Sequence, residues 1–213
     1  MEYPVNLRMT GRACTVVGGG AVAERKVAAL LQAGALVTVI APELTHPLRE
    51  MSLQGRISWM QKQYEPGDLA GSFLVVCATD SRSVNRSAAA EAKQVRALTN
   101  VVDSPELCDF TVPSQLARGD LLITVSTGGH SPAFTRRLKE ELDTLYGPEY
   151  GDFLTIVSQA REQVKQRLTS SRERERFWRK LLDAELIALI RAGRINEAEE
   201  RVRDAISRIG TQP

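Results

Sequence analysis

Val16-Val17-Gly18-Gly19-Gly20-Ala21-Val22-Ala23-Glu24-Arg25-Lys26 is the stretch whose reading decides the fold. Ala13-Cys14-Thr15 precede it, so an apolar run over 13–17 stops at three glycines and resumes over residues 21–31 with helical spacing. That pattern predicts strand, tight turn, helix. The glycines and Ala23 fit G-x-G-x-x-A, a dinucleotide fingerprint for physical reasons, with a plain tight turn as the other reading. Gly18 permits the turn, Gly20 lets backbone approach a pyrophosphate, and Ala23 allows the helix to lie close on the sheet. The amides of Gly19, Ala21 and Val22 complete the helix start, where unpaired N–H groups and a partial positive charge favour an anion.

Working outward, Gly34 closes this helix and Leu36–Ile40 form a second apolar run rich in β-branched residues, stopped by Ala41-Pro42. Both runs are continuous rather than alternating, as parallel strands buried on two faces must be. Residues 57–60 and 73–78 read as further strands, 84–93 as an Ala-rich helix, and 98–102 as a strand leading into Asp103-Ser104-Pro105. Ligands of open α/β sheets bind at the carboxyl ends of the strands, so Thr79, Asp80, Asn100, Val101 and Asp103 join the glycine turn as candidate site residues. The acidic residue expected at the end of the second strand is replaced by Ala41-Pro42, with Glu43 next. Pro42 and Glu43 are therefore the candidates beside an adenosine ribose, and Arg25 or Lys26 could meet a 2′-phosphate or serve equally as helix-surface charge. The balance leans to NAD.

The rhythm changes after residue 110. Residues 110–114 and 121–126 flank Arg118-Gly119-Asp120 and predict a hairpin, followed by a glycine-rich loop, Thr127-Gly128-Gly129-His130. Ser131 and Pro132 make an N-cap and first position for a helix over 132–145. Everything from Pro148 reads as helical, with three helices, Gly193 and Gly210 as stops and Asn196 as cap of the last. The close mixture of signs over 172–180 reads as a solvated helix face. The fold class is thus α/β: a Rossmann-type parallel-sheet domain over 1–113, a small α+β dimerisation segment over 114–147, and a helical C-terminal domain over 148–213.

Composition excludes other classes. With 213 residues, 43% hydrophobic and 25% charged, the chain is long enough for a real core and is neither disordered nor a disulfide miniprotein. No apolar run approaches the ~18–20 residues that span a bilayer, and Met1-Glu2-Tyr3-Pro4 lacks a signal-peptide layout, so no membrane partner and a cytoplasmic location are expected. A net charge of +2 gives no reason to expect nucleic acid. Cys14, Cys77 and Cys108 are far apart, the histidines are His46 and His130, and no metal site is expected. Arg outnumbers Lys 22 to 6, a bias suited to gripping carboxylates.

The segment 16–26, Asn100-Val101-Val102-Asp103, Phe110-Thr111-Val112-Pro113-Ser114, Ser126-Thr127-Gly128-Gly129-His130-Ser131-Pro132 and Phe177-Trp178, in this order, resemble the precorrin-2 dehydrogenase and sirohydrochlorin ferrochelatase family. That family includes stand-alone dehydrogenases and the N-terminal module of multifunctional siroheme synthases. The resemblance covers essentially the whole chain. Its first motif is shared by many nucleotide binders, whereas the ordered set of the others is far more specific. It implies NAD-dependent oxidation of precorrin-2 to sirohydrochlorin, a step toward siroheme or cobalamin, and some relatives also insert Fe2+ into the product. It implies further a homodimer exchanging residues of about 114–147 between subunits, with helices covering a tetrapyrrole cleft. The methyltransferase domain of the larger relatives is expected to be missing.

The residues suit this chemistry. Oxidising a reduced tetrapyrrole needs a hydride acceptor beside the ring and a base for the proton lost, and Asp103 stands at the right sheet edge, a role that the resemblance also gives it. The same carboxylate could assist metal insertion; it could equally be an Asx-turn residue before Ser104-Pro105. A polycarboxylate substrate calls for guanidinium and N–H donors, which Ser126, Thr127, Gly128, Gly129, His130, Ser131 and Arg136 could supply; a tight bend and helix-surface arginines account for the same residues. A non-catalytic nucleotide-sensing module, signalling through the helical region, is the alternative to an enzyme.

Overall fold

A computed structural model describes residues 2–210; Met1, part of the N-terminal reading, lies outside them. The chain divides into a unit over Tyr3–Val112 and a second formed by Pro113 onward together with Glu2.

The first unit carries a five-stranded parallel sheet ordered β3-β2-β1-β4-β5, from β1 (Ala13–Val17), β2 (Leu36–Ile40), β3 (Ser58–Met60), β4 (Leu74–Cys77) and β5 (Leu98–Val101). The order reverses between β1 and β4, so the switch point falls beside the glycine turn. Helix α1 (Ala21–Gln32) buries Ala23 and Val27, one helical turn apart, against Val16, Val39 and Val76. Helix α2 (His46–Leu53) shares that face through Leu48. Helix α3 (Arg82–Gln94) covers the other face, laying Ala88, Ala89 and Ala92 on Val75, Cys77 and Val101. Each fully buried valine of this core contributes about 1.5–3 kcal/mol relative to exposure. Helix α2 is an element that periodicity alone missed; Thr45 Oγ1 accepts from the Leu48 amide at 3.5 Å, and Pro47 stands in its first turn.

In the second unit, β6 (Ser114–Arg118) and β7 (Leu121–Val125) form an antiparallel hairpin about Gly119-Asp120, with Gly119 at φ +54°. The expected first strand, 110–114, is displaced. A two-residue turn pairs Arg118 with Leu121 and ends the ladder at Ser114 and Val125. Residues 109 and 110 are instead tied to β5, where the Thr99 amide donates to Asp109 Oδ2 at 2.9 Å and Asn100 Nδ2 to the Phe110 carbonyl at 3.1 Å. Helix α4 (Pro132–Leu145) starts as expected, Ser131 Oγ accepting from the Phe134 amide.

Four helices follow among the described residues, not three: α5 (Glu149–Arg167), α6 (Ser171–Leu181), α7 (Ala184–Arg191) and α8 (Ile195–Ser207). The extra break comes from capping, which periodicity does not register. Asp183 Oδ1 accepts from the Leu186 amide at 2.9 Å to start α7, and Arg174 Nη1 donates to the Leu168 and Thr169 carbonyls at 2.8 and 2.6 Å to finish α5. Gly193, at φ +68°, does stop α7, but Arg194 is the cap of α8 and Asn196 lies exposed inside it. No helix among the described residues is long and apolar enough to cross a membrane.

Candidate active site

The loops leaving β1, β2, β4 and β5 meet at the carboxyl edge of the sheet, which brings most of the sequence-predicted residues together. Gly18 combines φ +125° with a neighbour that forbids a side chain: a Cβ would sit 2.3 Å from the Ala78 carbonyl oxygen. The same test at Gly19 gives 2.0 Å to the Glu43 carbonyl oxygen, so the loop after β2 lies directly on the turn. The Thr45 amide donates to the Gly19 carbonyl at 2.9 Å, and Thr45 Oγ1 donates to Glu24 Oε2 at 2.8 Å, clasping that loop to α1. Trp59 Nε1 fixes the Ala41 carbonyl at 2.9 Å from the other side. Pro42 and Glu43 remain exposed.

Gly20 differs from its two neighbours. It is exposed, its backbone is extended (φ −85°, ψ −176°), and a Cβ there would meet nothing within 4 Å. Nothing among the described residues requires glycine at this position. No side chain caps α1 either, so the amides of its first turn, at Ala21 and Val22, have no intrahelical partner and no capping side chain. A close-approaching anion at a helix start accounts for both facts, and the residues therefore fit a dinucleotide pyrophosphate. Ala23 is fully buried beneath them.

On the neighbouring strands, Thr79 is half-buried and Asp80 exposed, while Asn100 and Val101 are drawn inward. Asn100 Nδ2 is committed to Phe110, and its Oδ1 lies 3.4 Å from Lys26 Nζ. Burial holds the Lys26 ammonium below its ordinary value, with Arg25 pushing the same way and the Cys108 thiol opposing. Of the two cations considered for a 2′-phosphate, Lys26 is thus turned to β5, and Arg25 is exposed on α1. The Val101 amide donates to Cys108 Sγ at 3.1 Å, and that thiol donates back to the Val101 and Ser104 carbonyls at 3.3 and 3.4 Å.

The turn wrapped around this sulfur presents Asp103. Its backbone is left-handed, at φ +56°, a conformation that aspartate tolerates better than most residues. Its side chain is exposed and makes no hydrogen bond or ion pair among the described residues. An exposed carboxylate at a sheet edge is available as a base or as a charge partner.

In the second unit three amides of the loop 126–131 are bonded within it. The Gly128 amide donates to Ser126 Oγ, His130 N to the Thr127 carbonyl, and Ser131 N to Thr127 Oγ1, at 3.1–3.2 Å. Those donors stiffen the loop rather than standing open, which leaves Gly129, the His130 ring and Arg136 exposed around it. Arg137 is paired with Glu141 at 3.0 Å. Among the described residues no group of three or more His, Cys, Asp or Glu could hold a metal ion.

Thr45, Glu24, Trp59, Cys108 and Asn85 carry the site without having been singled out from the sequence. Thr45 had a signal, a threonine before His-Pro at a helix start. The others are joined across 6 to 21 residues of sequence, and no local pattern announces them.

The sequence matches three family models: "Putative NAD(P)-binding" over residues 5–114, "Sirohaem biosynthesis protein central" over 118–145, and "Sirohaem synthase dimerisation region" over 149–206. It is 38% identical over 213 residues to the siroheme synthase of Photorhabdus laumondii, covering 100% of this chain and 45% of that protein. It is 42% identical over 186 residues to siroheme synthase 3 of Aeromonas hydrophila, covering 87% and 40% respectively. The chain spans less than half the length of these curated relatives. Among solved structures it resembles one titled SirC, precorrin-2 dehydrogenase, with a TM-score of 0.77 and 27% identity over 99% of this chain and 100% of that one.

Proposed function

The chain belongs to the precorrin-2 dehydrogenase and siroheme synthase family, and from that premise we propose that it oxidises precorrin-2 to sirohydrochlorin with NAD+ as hydride acceptor. The observation that carries this reading is the likeness, over 99% of the chain, to a protein titled precorrin-2 dehydrogenase whose whole length it also covers.

The bound nicotinamide supplies the acceptor for a hydride leaving a ring carbon of the substrate. This chain's residues do the rest. Gly20 and the first-turn amides of α1 hold the pyrophosphate, and the loops of Gly18–Ala78 and Gly19–Glu43 fix where the dinucleotide crosses the sheet edge. Asp103 accepts the proton released as the macrocycle is oxidised, so that precorrin-2 and NAD+ give sirohydrochlorin, NADH and one proton. NAD is favoured over NADP because the Glu43 carboxylate, at the end of β2, opposes a 2′-phosphate and Lys26 is engaged with Asn100. His130 and Arg136, exposed around the 126–131 loop, are proposed to meet substrate carboxylates. The match to a dimerisation-region model supports a homodimer. Fe2+ insertion into sirohydrochlorin, with Fe2+ as a substrate, would use the same Asp103 carboxylate as proton acceptor.

The test is anaerobic. Purified chain given enzymatically made precorrin-2 and NAD+ is expected to yield the sirohydrochlorin absorption spectrum with NADH in equal amount. Dinucleotide binding without turnover refutes the assignment and favours a sensing module. Sirohydrochlorin and Fe2+, with a no-enzyme control for spontaneous insertion, read the second reaction separately.

A further inference from the structure

Asn85 is a buried polar residue that the mechanism above does not use, and its contacts converge on one wall of the dinucleotide site. The sheet ends here: its last bonds on either side of β4 run from the Ala78 amide to the Val17 carbonyl (2.8 Å) and from the Val102 amide to the Cys77 carbonyl (3.0 Å). Beyond them the chain from Thr79 to Ser81 has no strand partner. Asn85, on the first turns of α3 and 7% exposed, takes over. Its Oδ1 accepts from the Thr79 amide at 3.2 Å and from Thr79 Oγ1 at 2.8 Å, and its Nδ2 donates to the Thr79 carbonyl at 2.9 Å. One side chain thus satisfies both backbone polar groups of Thr79 and its hydroxyl. The donor–acceptor pattern admits only this orientation of the amide, since the flipped one would set NH2 against N–H. Thr79 Oγ1 in turn accepts from the Ser81 amide at 3.3 Å. The residue before Thr79, Ala78, is the one whose carbonyl touches the glycine turn at Gly18.

We propose that Asn85 is a positioning residue for the nicotinamide dinucleotide, holding residues 78–81 as a preformed wall of the site at the point where the sheet can no longer do so. The proposal rests on the reading of the glycine turn as the dinucleotide site. A preformed wall costs no ordering when ligand binds; a loose one does, and that cost appears as lost affinity.

The experiment is calorimetric titration of NAD+ into the full 213-residue chain, wild type and variants. Asn85→Ala is expected to raise the Kd for NAD+ about tenfold or more at unchanged stoichiometry. In turnover, KM for NAD+ rises in parallel, and kcat at saturating NAD+ stays within about threefold of wild type. Asn85→Asp keeps both acceptor contacts and loses the donor to the Thr79 carbonyl, so its Kd is expected between the two. If the Ala variant shows no cooperative melt, Asn85→Asp alone decides the matter, a wild-type Kd counting against the proposal. An Asn85→Ala protein with reduced stoichiometry but wild-type Kd has a merely structural defect, and the assignment falls. A wild-type chain that binds no NAD+ overturns the reading of the site and the assignment with it, whereas wild-type binding with an unmoved variant overturns the assignment alone.

Discussion

Alanine at Gly20 separates the needs of the ligand from the needs of the fold. A methyl group there meets no protein atom within 4 Å, and the backbone, at φ −85° and ψ −176°, is open to any L-residue. Two small effects on stability oppose each other. Replacing glycine restricts the unfolded chain and stabilises by about 0.4–1 kcal/mol, while alanine is a poorer N-cap than glycine by roughly 0.5 kcal/mol because it shields the first-turn amides from water. The net change is within about 0.5 kcal/mol, or about 2 °C in melting temperature for a chain of this size. The ligand suffers more. A methyl group in front of the α1 start displaces the pyrophosphate from amides whose charge-assisted bonds are worth about 1.5–3 kcal/mol each, so losing one raises the Kd for NAD+ roughly 10- to 100-fold. Gly19→Ala is the contrast, since its Cβ would lie 2.0 Å from the Glu43 carbonyl oxygen and 2.9 Å from the Ala41 Cβ, and backbone must move. That variant is expected to lose stability and binding together. Thermal melts and NAD+ titrations of both proteins provide the assay. Wild-type affinity in Gly20→Ala would falsify the pyrophosphate assignment, and a melt depressed as far as that of Gly19→Ala would show that the space is not open.

Three further outcomes are expected. Asp103→Asn, a substitution that suits the left-handed backbone at φ +56°, should lower precorrin-2 oxidation about 10²- to 10⁴-fold with NAD+ affinity retained; normal turnover would remove Asp103 from the mechanism. Burial raises the thiol of Cys14 from 9.0 to about 11, and burial, with Cys108 nearby, raises that of Cys77 to about 12. The folded chain therefore keeps thiol protons that the unfolded chain gives up, and the stability that these two thiols contribute should decline as pH climbs through the unfolded thiol range toward the folded values, as urea midpoints would record. Gly151→Ala would bring a Cβ to 2.8 Å from the Arg118 carbonyl carbon and 3.0 Å from the Gly119 amide nitrogen, forcing α5 off the hairpin. A loss of about 1–3 kcal/mol is expected on chemical denaturation, and an unchanged midpoint would contradict that packing.

What could be foreseen from sequence, and what could not, divides by the range of the interaction. Strands β1, β2, β4 and β5 announce themselves because burial on both faces forces continuous apolar runs, and α4 because Ser131-Pro132 is a local capping signal. The similarity of the ordered motifs carried the expected chemistry, and the family matches agree with the family that it named. The shifted hairpin strand and the fourth C-terminal helix were illegible for a common reason. Each is decided by a side chain satisfying a distant or non-periodic backbone group: Asn100 drawing Phe110 toward β5, Arg174 ending α5, Asp183 starting α7.

The same division runs through the candidate site. Its glycines look equivalent in sequence, yet Gly18 answers to Ala78, Gly19 to Glu43, and Gly20 to no protein atom within 4 Å. Two of the three are thus required by the fold and would be expected whether or not a nucleotide ever binds. A glycine motif argues for a ligand only through the position that the protein leaves unexplained. Here that position lies at the uncapped start of α1, beside a wall held by Asn85, and on the sheet edge that presents Asp103. On the proposed reading, binding and chemistry rest on different elements, and variants at Gly20 and Asp103 should fail in different ways, the first in affinity and the second in rate.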